Sequence, residues 1–293
     1  MDLLPLLVIG GVLGVIYTLL SEGFSLIYGV GGILNGAYGA LYMLTDYIIF
    51  AIFIVWKVPV LAAISLSLLA IFFIALLIQK YVVARGKSQL DVLFLTLALA
   101  FVVQYGVQYL QCSSAFSGNC AYPAFVPIFV KGSSTILGVS VNNQQLAADV
   151  VAIFFLTGLW LFLSRTRYGS AIRAVSQDKD AAELTGINTE RTQMLTAGIG
   201  ALMAGVSSAF LGSYQSVDPT IGWSIITLAF AIVILGGLGS LKGALLASFI
   251  LAFAQTFVLL FVNTLLSDFV SLSILILVLL IRPQGIFGRE VVS

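Results

Sequence analysis

Long runs without a single charged residue constrain this chain more than any other feature. They cover Leu3–Ser21, Gly23–Thr45, Val58–Gln79, Val92–Val130, Thr192–Val217, Pro219–Leu241 and Gly243–Ser267. A helix needs about 20 predominantly apolar residues to cross a bilayer. Only 9% of the residues are charged, whereas a water-soluble domain carries about a quarter. The reading is an all-α, polytopic helical membrane protein, a single transmembrane domain over 1–293. Helices are expected at 5–27, 34–56, 59–79, 91–110, 146–163, 194–212, 222–240, 243–262 and 266–281, about nine spans within a range of eight to ten. Met1-Asp2 lacks the basic stretch that opens a cleavable signal, so none is expected.

Composition excludes several function classes. There is no histidine, the commonest catalytic base, and the two cysteines are too few for a thiolate metal site. No cofactor or metal is expected. No Ser-His-Asp set or pair of carboxylates is present, and Gly236–Ser240 lacks the lysine of a phosphate-cradling loop. Nucleic-acid binding is unsupported, because no basic stripe exists beyond short internal loops. The 28 glycines, many inside the apolar runs, point to close helix–helix approach.

Basic residues set the orientation. Lys80, Arg85 and Lys87 share one short loop, Arg165, Arg167, Arg173, Lys179 and Arg191 another, and Arg282 and Arg289 the tail. An odd number of spans puts all three inside, together with Lys242, and the N-terminus outside; Lys57 and Lys131 are the outside minority. The 111–145 connection then faces out. Its Cys112 and Cys120 can form a disulfide on an oxidising exterior or remain two unpaired residues. The run YPAFVPIFV is too short and broken to span, and is expected to lie at the surface as a cap.

Residues 28–47 read YGVGGILNGAYGALYMLTDY, and Gly29, Gly31, Gly32, Gly36 and Gly39 interrupt what would otherwise be one helix near the N-terminus. Non-helical backbone within a membrane survives only where protein buries it or where it lines a wet path, and broken helices often form substrate sites. Asn35, Tyr38, Gly39, Met43 and Asp46 are therefore pathway candidates, with Leu34 and Leu41 as an apolar wall. Glu22 also stands near this zone. Intramembrane acids are costly and usually face the interior; the bland alternative is an interfacial Asp46 and glycines that only let helices pack.

Against this apolar background, 164–193 is the one long polar stretch, SRTRYGSAIRAVSQDKDAAELTGINTERTQ, with nine charged residues. Its apolar spacing suits short amphipathic helices. Ser176 is expected to cap a second short helix, with Asp178 and Asp180 in its first turn and Gly186 as its terminating glycine. The stretch is either an ordinary cytoplasmic loop or an element gripped by a cytoplasmic partner protein.

Four blocks carry a family likeness: IYGVGGILNGAYGALYML at 27–44, RYGSAIRAVSQDKDAAELTGI at 167–187, ILGGLGSLKGA at 234–244 and LLIRPQGIFG at 279–288. With them the chain resembles the LivH-type permease subunits of branched-chain amino acid ABC transporters. The resemblance implies a non-catalytic, multi-pass subunit in the cell membrane of a prokaryote. It also implies a second related permease as partner, two cytoplasmic ABC ATPase subunits that hydrolyse ATP, and an extracytoplasmic solute-binding protein. Arg173, Ala182, Glu183, Leu184, Gly186 and Ile187 fall in the family's ATPase-docking loop. Asn35, Ala37 and Gly39 match the family pattern, whereas Tyr38 stands where the family has histidine and Ala40 where it has an acidic residue. The expected cargo is leucine, isoleucine and valine; related permeases carry urea or short amides. An ion-coupled secondary transporter is a weaker alternative, with Glu22 and Asp46 its candidate relay residues.

Overall fold

The computed structural model describes residues 3–113, 126–213, 218–282 and 285–287. In chain order the elements are α1 (Leu3–Gly31), α2 (Tyr38–Phe50, continued as a wider π-helical turn over Ala51–Val55), α3 (Val60–Tyr81), α4 (Gln89–Cys112), β1 (Ser133–Ile136), β2 (Val139–Asn142), α5 (Asn143–Arg165), α6 (Arg167–Gln177), α7 (Lys179–Leu184), α8 (Thr189–Leu211), α9 (Ile221–Gly236), α10 (Leu241–Phe261) and α11 (Thr264–Ile281). Among the described residues, seven helices are long and apolar enough to cross a membrane: α1, α2 with its extension, α3, α4, α5, α8 and α10. Ile221–Gly236 and Phe269–Ile281 are shorter apolar helices.

The arrangement follows from which runs carry small residues. Helix α8 is mostly buried inside the protein, whereas α5 is exposed along its outer face. The α8 sequence TAGIGALMAGVSSAF lets neighbouring backbones come close, so α1, α2 and α3 all pack on it. Leucine-rich α5 packs chiefly on α1 and turns Val150, Ile153, Phe154 and Trp160 outward. The central cluster combines Leu19, Leu20, Phe24, Tyr38, Tyr42, Met203 and Ile232. Phe24 meets Tyr38 edge-on at 5.2 Å and Phe230 at 5.0 Å.

Helix starts are fixed by side-chain caps. Ser88 and Asp91 form a reciprocal capping box that opens α4 at Gln89, two residues before the expected boundary. Asn142 accepts the Gln144 N–H to open α5. The all-α expectation is interrupted by one short antiparallel hairpin, β1–β2, which pairs Ile136 with Val139. Its two central residues, Leu137 and Gly138, both take positive φ (50° and 84°), as a type I′ turn requires. Of the expected surface cap, Val126 is buried and Phe129 packs on Phe210 of α8 at 5.2 Å; residues 122–125 lie outside the described residues. Cys112 is disulfide-bonded, and Cys120 lies outside the described residues.

Candidate functional site

The glycine-rich segment is less broken than its sequence suggests. Helix α1 runs unbroken through Gly29 to Gly31, and the interruption is confined to residues 32–37. Gly32 ends α1 at φ +66°, its N–H bonded to the Tyr28 carbonyl at 2.7 Å. The Asn35 Oδ1 accepts the Ala37 N–H at 2.9 Å, and the Gly36 N–H reaches Thr96 Oγ1 on α4 at 3.0 Å. Side chains thus satisfy two of the donors that the break releases, those of Gly36 and Ala37. Asn35, Gln79, Gln193 and Thr196 line a cavity of about 30 Å³. A water needs roughly 10–15 Å³ of such space, so this cavity admits water but no amino acid.

The other pathway candidates are interior. Tyr38 is fully buried, and its hydroxyl donates to the Leu20 carbonyl of α1 at 2.7 Å. Met43 is buried beside Gly36, Ala40, Gln104 and Trp223, around a space of only about 10 Å³. Gly39 meets Gly222 of α9 backbone to backbone: a methyl group on Gly39 would stand 2.1 Å from the Gly222 carbonyl oxygen. Asp46 is fully buried within the protein. It packs on Gly212, where an added methyl group would lie 2.6 Å from Asp46 Oδ1. The segment is therefore interior, and of the candidate residues Asn35 lines the small cavity with room for water.

Residues 164–193 fold as two short helices and a turn. Helix α6 buries Gly169, Ile172 and Val175 and leaves Tyr168, Arg173 and Ser176 exposed. Thr166 caps it by accepting the Gly169 N–H at 2.9 Å. Gly169 is a position the sequence reading missed. A methyl group there would meet the Phe162 carbonyl oxygen at 2.3 Å, so only glycine lets α6 fold back on the end of α5. The visible signal was a glycine one turn after a capping threonine.

The α7 cap is corrected. Asp178, not Ser176, opens this six-residue helix by accepting the Ala181 N–H at 3.0 Å, while Ser176 donates to the Arg173 carbonyl in α6. Aspartate wins because it is charged and lies directly before the turn whose N–H groups are free. Gly186 ends α7 as expected, at φ +87°, with the Ile187 N–H bonded to the Ala182 carbonyl and the Gly186 N–H to that of Glu183. Leu184 is 90% exposed, the extreme among the exposed large apolar side chains. Ala182 is buried and Ile187 packs toward the core, so both belong to the inner face rather than the outer one. Glu183 Oε1 accepts the Thr189 hydroxyl at 2.5 Å and ties α7 to the start of α8.

Blocks that are far apart in sequence meet at one end of the molecule. Gly29 of the first block would touch Gly239 of the α9–α10 turn at 3.5 Å if it carried a methyl group. The tail then closes the α9 end: the Ile286 and Phe287 N–H groups donate to the Leu235 and Gly236 carbonyls at 2.8 and 3.0 Å. Carbonyls in the last turn of a helix lack intrahelical donors, and the tail supplies two. Helix α6 packs on α1, α5 and α8. The short polar helices are thus mounted on the central helices rather than suspended from a loop.

Comparison with known proteins accounts for this arrangement. The family described as "Branched-chain amino acid transport system / permease component" matches residues 6–279. The chain is 34% identical to the high-affinity branched-chain amino acid transport system permease protein BraD of Pseudomonas aeruginosa, over 98% of this chain and 96% of that one. It is 32% identical to the permease LivH of Escherichia coli, over 97% of this chain and 95% of the relative. Among solved structures it resembles PsaBC from Streptococcus pneumoniae in complex with Fab, with a TM-score of 0.54 and 14% identity over 96% of this chain and 94% of that one, a likeness of fold. The chain belongs to the family of branched-chain amino acid transport system permease components.

Proposed function

We propose that the chain is the membrane permease subunit of an ABC importer for leucine, isoleucine and valine. The observation that carries this reading is near-full-length similarity to permeases named for high-affinity branched-chain amino acid transport. In this reading the two shorter apolar helices, α9 and α11, cross as well, which makes nine spans in a prokaryotic cell membrane. The N-terminus lies outside and the C-terminus in the cytoplasm. The basic 80–87 loop, the 164–193 stretch and the Gly237–Ser240 turn before Lys242 then share the cytoplasmic end. A second related permease pairs with this one in the membrane. Two ATPase subunits dock on 164–193 and supply the hydrolysis, and an extracytoplasmic binding protein supplies the cargo. The Tyr38 departure leaves the transporter reading intact, because its hydroxyl is bonded to the Leu20 carbonyl and adds no polar group to an open path; it does not select among cargoes.

The test is ATP-dependent uptake into vesicles holding the full complex and its cognate binding protein. Leucine, isoleucine and valine are expected to enter at rates well above urea and acetamide; entry of urea or acetamide with none of the three would sink the assignment. Asn35→Ala is expected to lower uptake about tenfold at unchanged assembly, because it removes a polar group that lines the small cavity with room for water. The lost Ala37 cap contributes only about 1 kcal/mol. Uptake equal to wild type at equal expression counts against a pathway role for Asn35.

A further inference from the structure

A larger cavity, of about 330 Å³, is lined by residues of α1, α5 and α10, among them Glu22, Leu156, Trp160, Leu163, Lys242 and Leu245, and it opens to the outer surface, where Trp160 and Leu245 are exposed. That volume falls within the roughly 300–1,000 Å³ of small-molecule sites, whereas the space beside Asn35 is about 30 Å³. Glu22 is 9% exposed, and among the described residues its carboxylate has neither a hydrogen bond nor an ion pair. An acid at this depth in a membrane protein is costly and is expected to face a polar cavity or ligand, and Glu22 lines this one. Lys242, in the first turn of α10, lines the same cavity and is exposed, with no ion pair among the described residues. The helix dipole adds to its positive character there.

An acid and a base that line one cavity without pairing, together with leucines and a tryptophan, complement one chemical class: a zwitterion bearing an aliphatic chain. We propose that this cavity binds the transported amino acid, with Glu22 holding its ammonium, Lys242 its carboxylate, and Trp160, Leu156 and Leu163 its side chain. The proposal rests on the import function above; Lys242 falls in the third family block, whereas Glu22, Leu156, Trp160 and Leu163 lie outside all four. Lys242 is open to water, so its contact is screened and weak, which suits a site that must release its cargo. Urea and acetamide carry neither charge and gain nothing from the pair.

The experiment photolabels the complete complex, without the binding protein, using the diazirine analogue of leucine. Label is expected in the peptides spanning 156–163 or 241–245, reduced about tenfold by excess leucine and about tenfold in Glu22→Gln and in Lys242→Gln. Leucine uptake should fall similarly in both variants while the ATPase subunits stay bound. Lys242 is exposed, so its variant decides alone if Glu22→Gln does not fold. Label confined to other peptides, or unchanged in Lys242→Gln, overturns the site while leucine uptake by the wild-type complex leaves the import function standing. Failure of wild-type uptake strikes the import function instead. Phosphatidylethanolamine retained by the complex in native mass spectrometry, lost in Lys242→Gln and not displaced by leucine, would assign the cavity to a lipid headgroup and also overturn the site.

Discussion

Leu184→Asp is expected to strip the ATPase subunits from the permease while leaving the membrane fold intact. The side chain is 90% exposed, so its replacement removes almost no internal contact. On docking it would pass from water into an apolar groove, a transfer that contributes roughly 1.5–3 kcal/mol for a fully buried leucine. That is about 10- to 150-fold in affinity, and an aspartate adds the cost of desolvating a charge. Gly186→Val should have the same outcome by another route. No atom stands within 4 Å of a methyl group at this position, but φ is +87°, which a β-branched residue rarely adopts. The strain, about 1–3 kcal/mol, has to be relieved by turning α7 away from its present direction. Gly186→Asn is the control, since asparagine tolerates positive φ, and it should retain coupling. Each variant is assayed by co-purification of the ATPase and by ATP-dependent uptake. Wild-type values for both Leu184→Asp and Gly186→Val would return 164–193 to the status of an ordinary loop.

Much of this was legible because bilayer thickness sets the length of apolar runs. Among the described residues, helices α1 to α5 and α8 to α11 lie within a few residues of the expected ranges, seven of them long and apolar enough to cross a membrane, and the differences have local causes. Ser88 and Asp91 start α4 early through a cap that the apolar pattern does not register. The Ser133–Asn142 hairpin escaped because its strands are four residues long and lie within a stretch read as a loop. In the polar stretch, the Gly186 stop was readable because only a few residues tolerate its conformation. The cap was misplaced because Ser176 and Asp178 are both good caps, and the choice depends on where α6 ends. Facing was harder. Ala182 and Ile187 turn inward because α6 and α7 are packed on the central helices, information held in distant segments. Tyr38 shows the same limit: the sequence marks it as unusual, but only the fold shows its hydroxyl bound to Leu20, eighteen residues away.

Gly243→Ala is expected to be the most damaging added methyl group among the described glycines. The added carbon would stand 2.0 Å from the Gly236 carbonyl oxygen and 2.7 Å from its carbonyl carbon. Those neighbours are backbone, so no side chain can swing aside, and α9 and α10 must separate. Overpacking of side chains typically costs about 1–3 kcal/mol, and a backbone clash should lie at or beyond that upper end. The damage spreads along a definite route. Separation of the two helices moves the Leu235 and Gly236 carbonyls away from the Ile286 and Phe287 N–H groups. It also shifts the turn containing Gly239 that rests on Gly29. Gly11→Ala is the matched control: it lies in α1 with nothing within 4 Å of the new carbon. There alanine should be neutral or slightly stabilising, because it restricts the unfolded chain and favours helix. The measurement is thermal stability of the detergent-solubilised chain, followed by the loss of monodisperse protein on size exclusion after heating. Gly243→Ala should melt well below wild type or fail to accumulate, while Gly11→Ala should match it. Equal melting of Gly243→Ala and Gly11→Ala would mean that α9 and α10 do not meet backbone to backbone, and the tail would then need another explanation for its place.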